Sequence, residues 1–223
     1  MAHLELTSNA SNKATTVDIT NVYQRGGKRC LDLFFALVLL PLLVPVITIL
    51  AILNTVNFGS PFFGHKRIGR NGKVFTCWKL RTMRPNAQSL LAEHLAENPV
   101  AATEWKRTQK LKNDPRVTSF GLLLRRTSLD ELPQIWNVVR GEMSLVGPRP
   151  ITQNELSRYG NSAAEYLATR PGVTGVWQVY GRSNGCYKER VRMDTFYCRA
   201  ITIHHDLILI AMTLFVLLRT TGK

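Results

Sequence analysis

Residues 31–53 read LDLFFALVLLPLLVPVITILAIL, and the reading of this run decides the architecture. As a helix it is long enough to cross a hydrocarbon core of about 30 Å. Three features argue against a plain crossing. Asp32 opens the run, Pro41 and Pro45 interrupt its middle, and both flanks are basic: Arg25, Lys28 and Arg29 before it, Lys66 and Arg67 after it. Basic flanks favour the cytoplasmic side, so both ends call for the same side of the membrane. Each proline removes a helical hydrogen bond and clashes with the preceding turn, which bends the segment. The expected structure is a re-entrant helix–break–helix with its membrane break at Pro41 and Pro45; a kinked single span is the alternative. A polar stretch of about thirty residues precedes the run and no small-residue cleavage site follows closely, which disfavours a signal peptide.

Outward from this run the charge is lopsided. Lys and Arg total 29 against 15 acids, a formal net charge of +14. Between Asp32 and Glu93 no acidic residue occurs, and the gap holds Lys66, Arg67, Arg70, Lys73, Lys79, Arg81 and Arg84. Such an excess needs an anionic partner. An apolar run beside a basic run suits membrane lipids with anionic headgroups. A nucleic-acid binder would not need the apolar run, and no helix-turn-helix, zinc or RRM signature occurs; nucleic acid is not an expected partner. The mean hydropathy of -0.05 excludes a polytopic transporter, and the 45% hydrophobic share excludes a disordered chain. Cys30, Cys77, Cys186 and Cys198 form no CxxC pair, and His204-His205 is not part of an HExxH. Zinc ribbons, thioredoxin chemistry and zinc proteolysis are thereby disfavoured.

The expected fold class is mainly α with a short β-hairpin, membrane-associated, with the re-entrant membrane helix and interfacial amphipathic helices. Residues 1–24 read as a flexible N-terminal tail, 25–57 as the anchor, and 58–223 as a cytosolic catalytic domain on the membrane face. A hairpin is expected over 62–83, turning at Asn71-Gly72. Alternation on its second arm puts Lys79 and Arg81 on one face, Trp78 and Leu80 on the other. Helices are expected over 86–112, 117–126, 129–140 and 186–200, and Pro/Gly loops around 147–150 and 170–175. A last apolar helix over 207–218 is too short to span and suits the interface.

The densest chemical constellation is LLLRRTSLDELPQIWNVVRGEMSLVGPRP, residues 122–150. Ser128 and Glu131 have capping-box spacing, so a helix is expected to start at Ser128. Asp130 and Glu131 then have a plain reading as complements of the helix dipole. Pro133 weakens it by restricting Leu132. Arg149 is held between Pro148 and Pro150, which fixes its direction. Adjacent carboxylates among guanidinium groups suit phosphoryl chemistry. One carboxylate can attack phosphorus, another can hold Mg²⁺, and arginines can bind phosphate oxygens bidentately. No P-loop or kinase signature occurs.

These pieces resemble the bacterial sugar transferases, the monotopic polyprenyl-phosphate phosphoglycosyl transferase family. They are the proline-broken run 31–53, KLRTM at 79–83, the segment 114–150, RPGVTGVWQVYGR at 170–182, and the acidic positions Asp194 and Asp206. YKER and the lead-in GHKRIGRNGK are most similar to exopolysaccharide production proteins of the ExoY type. Two positions depart from the family pattern: Val44 precedes Pro45 where Ser is frequent, and Ser183 follows YGR where Asn or Asp is frequent.

The resemblance implies a membrane-face reaction. A UDP-hexose, with galactose or glucose, gives its hexose 1-phosphate to undecaprenyl phosphate and releases UMP, the first membrane step of exopolysaccharide repeat-unit synthesis. It implies Asp130 as nucleophile, Glu131 as catalytic partner and metal ligand, and Mg²⁺ (or Mn²⁺) as cofactor. Arg149 would hold phosphate with Lys79, Arg81 and Arg125 in support, and Asp194 and Asp206 would be either structural or a support behind the site residues. It places the protein at the inner membrane with its catalytic domain on the cytoplasmic face, and leaves a homodimer open. The rival reading is a membrane-anchored basic binding or scaffold protein without catalysis.

Overall fold

The computed structural model describes residues 22–108, 111–181 and 186–218. Residues 1–21 of the expected tail, and Ser183, lie outside the described residues. Tyr23 and Gln24, assigned to the tail by composition, are ordered into a π-helical turn, Tyr23–Gly27, that leads into the long helix, with Gln24 exposed and donating to the Ile201 carbonyl at 3.1 Å. Tyr23 is buried, and its hydroxyl donates to Asp206 Oδ2 at 2.6 Å.

Helix α1 (Lys28–Phe58) carries the apolar run and contains both prolines. The break expected there is not a gap, because helical structure continues through Pro41 and Pro45. Each proline forfeits one backbone bond, and in an apolar setting the helix is what satisfies the remaining N–H and C=O groups. One stripe of α1 faces the body. Ala36 is buried with Phe75, Cys77, Ile135, Val138 and Met143, and Leu40, Leu43 and Ile47 pack beside it. That three-to-four-residue spacing is one helical face. Leu37, Val38, Leu42, Ile49, Ile52 and Val56 stand exposed.

Polar contacts tie α1 to the body at both ends. Arg29 donates to the carbonyls of Val138 (2.6 Å) and Val139 (2.9 Å). Buried Asp32 accepts from Ser144 Oγ and the Leu145 N–H, both at 2.9 Å. Buried Asn54 donates to the Pro61 and Arg81 carbonyls. Lys28 and Arg29, read as part of the basic flank favouring the cytoplasmic side, point into protein: Lys28 Nζ lies 2.5 Å from Asp206.

The hairpin forms as expected, with β1 (Phe62–Ile68) and β2 (Val74–Leu80) antiparallel and Phe62 paired with Leu80 and Ile68 with Val74. Asn71 (φ 57°) and Gly72 (φ 73°) both take the left-handed conformation, which two-residue turns of this hand require. Buried Asn137 docks the hairpin onto the helix behind it. Its amide donates to the Thr76 carbonyl (2.8 Å) and its carbonyl accepts from the Trp78 N–H (3.1 Å).

The helix expected over 86–112 is two, α2 (Ala87–Glu97) and α3 (Pro99–Thr108), because Pro99 starts a helix far better than it continues one. Helix α4 (Ser119–Arg126) is capped by Thr118, whose Oγ1 accepts from the Gly121 N–H at 3.0 Å. Gly121 is where α4 crosses the end of the hairpin: a Cβ there would sit 2.1 Å from the Thr82 carbonyl oxygen. Helix α5 covers Gln134–Val139.

The loops expected at 147–150 and 170–175 flank a parallel pair, β3 (Ser144–Val146) and β4 (Gly172–Thr174). Gly147 donates to the Thr174 carbonyl and Gly172 to the Pro148 carbonyl, both at 2.9 Å. The two strands approach so closely that a Cβ on Gly172 would lie 2.1 Å from the Gly147 nitrogen. After α6 (Gln153–Leu156), α7 (Ala163–Ala168) and α8 (Val176–Tyr180) come α9 (Tyr187–Arg199) and the apolar α10 (Ile203–Leu218). At 16 residues α10 is roughly 24 Å long, shorter than a hydrocarbon core. Leu122 and Leu123 on α4, Trp136 on α5, and Leu207, Leu214 and Phe215 on α10 stand exposed.

Candidate active site

The site begins at the joint between α4 and α5. Ser128 is not a cap: it has φ 57° and ψ 17°, and its side chain makes no capping bond. Pro133 occupies the N-cap position of α5 instead, because a proline can precede a helix but cannot donate within it. Between the two helices Leu129–Glu131 forms a tight 3-10 turn. The left-handed joint at Ser128 turns this short segment inward, so that Asp130 is only 8% exposed.

Lys79, near the end of β2, meets both carboxylates. Its Nζ lies 2.5 Å from Glu131 Oε1 and 3.7 Å from Asp130 Oδ2. Burial pushes the Asp130 carboxyl above the ordinary carboxylate range; Lys79 opposes that, Glu131 adds to it, and Arg125 opposes it. A partly desolvated carboxylate beside one ammonium is a more basic, more nucleophilic oxygen than one in water.

The four expected phosphate ligands separate. Lys79 and Arg149 line one cleft with Glu131, and Arg67, Gln134 and Gln178 line it too. The Arg149 guanidinium has no hydrogen bond or ion pair among the described residues, which leaves its donors for a ligand. Arg125 lies close enough to Asp130 to act on its charge, but its Nε is committed to Thr82 Oγ1 at 2.9 Å. Arg81 falls one residue beyond β2 and turns away. Its Nε donates to the Ser60 carbonyl at 2.9 Å, closing the base of the hairpin.

Asp194 and Asp206 do not line the cleft. Asp206 is fully buried and accepts from Tyr23, Lys28 and Tyr197, which fastens the start of α1 to α9 and α10. Asp194, 1% exposed, accepts from the Tyr159 hydroxyl at 2.7 Å behind the Arg149 loop. Burial pushes its carboxyl up to about 6, with Tyr159, Arg190 and Arg149 opposing. Between about pH 4 and 6 the folded state thus holds a proton there that the unfolded chain, with an ordinary value of 3.8, releases. Stability from this group is fully present below about pH 4 and is lost as pH rises through about 6, on the order of 2–3 kcal/mol in all. Denaturation followed from pH 4 to 7 is expected to show that fall, and Asp194→Asn is expected to flatten it.

Arg67, Gln134 and Gln178 are not among the expected site residues, and Arg67 is expected only as part of the basic flank. For Arg67 the signal existed: the Asn71-Gly72 turn sets a register in which Arg67 opposes Phe75. Cross-strand partners share a face, so Arg67 stands on the side of Cys77 and Lys79. The glutamines carried no such signal, because their approach depends on how α5 and α8 meet.

Among the described residues no three His, Cys, Asp or Glu side chains converge as a metal cage. The donors present are two adjacent carboxylates. That set fits Mg²⁺, which takes one or two carboxylates and completes its shell with water and substrate phosphates, and does not fit a metal that needs imidazole or thiolate.

The chain matches the model of a family described as bacterial sugar transferase over residues 23–220. It is 46% identical over 195 residues to a UDP-galactose-lipid carrier transferase of Erwinia amylovora, covering 87% of this chain and 41% of that protein. It is 45% identical over 195 residues to an undecaprenyl-phosphate galactose phosphotransferase of Salmonella typhimurium, with the same coverage. The exopolysaccharide production protein ExoY of Sinorhizobium fredii is 46% identical over 190 residues, 84% of this chain and 83% of that one. The chain thus spans about two fifths of the length of the first two relatives and most of the third.

Proposed function

Because the chain belongs to the bacterial sugar transferase family, we propose that it moves hexose 1-phosphate from a UDP-hexose to undecaprenyl phosphate, releasing UMP. The observation that carries this reading is Lys79 set between two adjacent carboxylates in a cleft that also holds an unengaged Arg149. Asp130 Oδ attacks the β-phosphorus of the donor. The bond to the bridging oxygen breaks, and UMP leaves with that electron pair. The aspartyl phospho-hexose is then attacked at phosphorus by an oxygen of the lipid phosphate, which restores the Asp130 carboxylate. Lys79 keeps Asp130 ionised while it waits, and Arg149 binds phosphate oxygens. Glu131 would hold Mg²⁺, whose charge offsets that of the phosphates.

The names of the relatives favour galactose as the hexose and exopolysaccharide synthesis as the setting; glucose is the alternative donor. Purified protein supplied with Mg²⁺, undecaprenyl phosphate and a panel of UDP-sugars is expected to release UMP with UDP-galactose, and excess EDTA to suppress it. Absence of UMP with every donor overturns the reading and leaves the scaffold alternative.

The proposed placement is a re-entrant anchor over 25–57 in the inner membrane, bent at Pro41 and Pro45, with residues 58–223 on the cytoplasmic face. Support comes from α1 being tied to one body through Arg29 and Asp32 near its start and Asn54 near its end. A plain crossing would place the body's contacts to the two ends on opposite sides of the bilayer. Exposed Leu122, Leu123 and Trp136 suit an interfacial position beside it. Cysteines introduced singly at Lys13 and Asn57, in a chain otherwise free of cysteine, are expected to resist a periplasm-only thiol reagent in intact cells. Labelling at position 57 alone would establish a true span.

A further inference from the structure

The cleft beside Asp130 contains a cation with no assigned task. Arg67 lies on β1 and reaches the cleft wall next to Arg149. Its side chain is 23% exposed. Nη1 donates to the Pro150 carbonyl and to Glu155 Oε2, both at 3.2 Å. Among the described residues these are its protein hydrogen bonds, and a guanidinium has five N–H groups in a fixed fork. Nε and Nη2 are therefore available to a ligand, while Nη1 fixes where they point.

Glu155 is what holds the fork in place. It accepts from the Thr152 N–H at 2.8 Å and from Arg67, and lies 3.4 Å from Arg190. Its charge is thus shared between two arginines and does not fully neutralise Arg67. On the cleft wall itself three cations, Arg67, Lys79 and Arg149, face one carboxylate, Glu131. Asp130 beside Lys79 and Glu155 on Arg67 offset part of that charge, but the planar fork of a partly buried guanidinium still matches two phosphate oxygens at once.

We infer that Arg67 is a substrate-phosphate ligand of this site, acting beside Arg149 and held to its task by Glu155. The inference rests on the transferase reading. The phosphate can come from the nucleotide diphosphate or from the lipid, and both sources offer the same oxygens. Arg67→Gln keeps an N–H donor for the Pro150 carbonyl and removes the charge. Arg67→Lys keeps the charge and loses the fork.

The test measures KM for UDP-galactose, KM for undecaprenyl phosphate, and the affinity of inorganic pyrophosphate by calorimetry, on full-length protein in detergent. Arg67→Gln is expected to weaken pyrophosphate binding and raise a KM by about tenfold or more, with kcat changed less, and Arg67→Lys is expected to recover part of the loss. A rise confined to the donor KM assigns Arg67 to the diphosphate, and one confined to the acceptor KM assigns it to the lipid phosphate. A fall in kcat with both KM values and pyrophosphate affinity unchanged makes Arg67 a tether of the Pro150 loop alone and overturns the inference. Should Arg67→Gln not fold, the same comparison is read from Arg67→Lys, for which an unchanged pyrophosphate affinity is the overturning result. Pyrophosphate binding needs no turnover. If the wild type binds it through Arg67 and yet releases no UMP from any UDP-sugar, the reaction reading fails and the phosphate site stands.

Discussion

Asp130→Asn is expected to abolish turnover, by on the order of 10³-fold or more, while membrane association and folding persist. The magnitude follows from the role: a nucleophile replaced by an amide leaves only binding and electrostatic help from the rest of the site. Folding should persist because Asn fills the same space and Asp130 makes no buried network; its nearest counter-charge, Lys79, keeps Glu131 at 2.5 Å. Two signals accompany the loss. Wild-type protein given UDP-galactose without lipid should release UMP up to the amount of enzyme present. Its peptide containing Asp130 should then carry the mass of a hexose phosphate. Asp130→Asn should show neither. Direct attack by the lipid phosphate would instead produce sequential kinetics and no adduct under rapid quench, and that outcome removes Asp130 from the nucleophile role.

Lys79→Met is the second large effect, expected at roughly 10²-fold in kcat/KM at neutral pH, a typical cost for one electrostatic contact in a polar site. Lys79 is the largest influence holding the Asp130 carboxyl down against burial. The active form is the carboxylate, so activity falls as pH drops through the Asp130 value. Removing the ammonium raises that value, because burial and the Glu131 charge are then opposed only by Arg125 and a hydrogen bond to the Asp130 backbone. The acid limb of the kcat/KM profile should therefore move to higher pH in Lys79→Met, and activity should recover in part on raising the pH. Lys79→Arg should restore the position of the limb more than the rate, since a planar fork does not sit between two carboxylates as a point charge does. A uniform loss of rate with the acid limb unmoved would show that Lys79 acts on the substrate and not on Asp130.

Much of this protein is written in short-range pattern. The apolar run 31–53, the hairpin around Asn71-Gly72, and helices α4 and α9 follow from periods of two or of three to four residues, which a chain displays without help from distant partners. The adjacency of Asp130 and Glu131 and the Pro148-Arg149-Pro150 loop are local too, and Glu131, Arg149 and Pro150 line the cleft while Asp130 sits behind Lys79. The cap at Ser128 failed because two local rules competed, and the proline at 133 outweighed the capping-box spacing.

Contacts across long sequence separations were settled by the tertiary structure alone. The strands β3 and β4 have three residues each and carry no period; they exist because Gly147 and Gly172 let two backbones meet. Lys28 and Arg29 have the composition of an exposed basic flank, but buried Asp206 and the open carbonyls at the end of α5 offer them partners within the protein. Arg67, Arg81, Arg125 and Arg149 are indistinguishable as letters. A long arginine side chain samples many directions, and the carbonyls of Ser60 and Pro150, the hydroxyl of Thr82 and the carboxylate of Glu155 select among them. Composition and periodicity determined that this chain would be basic, largely helical and equipped with a long apolar helix. Which of its cations stand by Asp130 and Glu131 was decided by distant atoms brought within 4 Å.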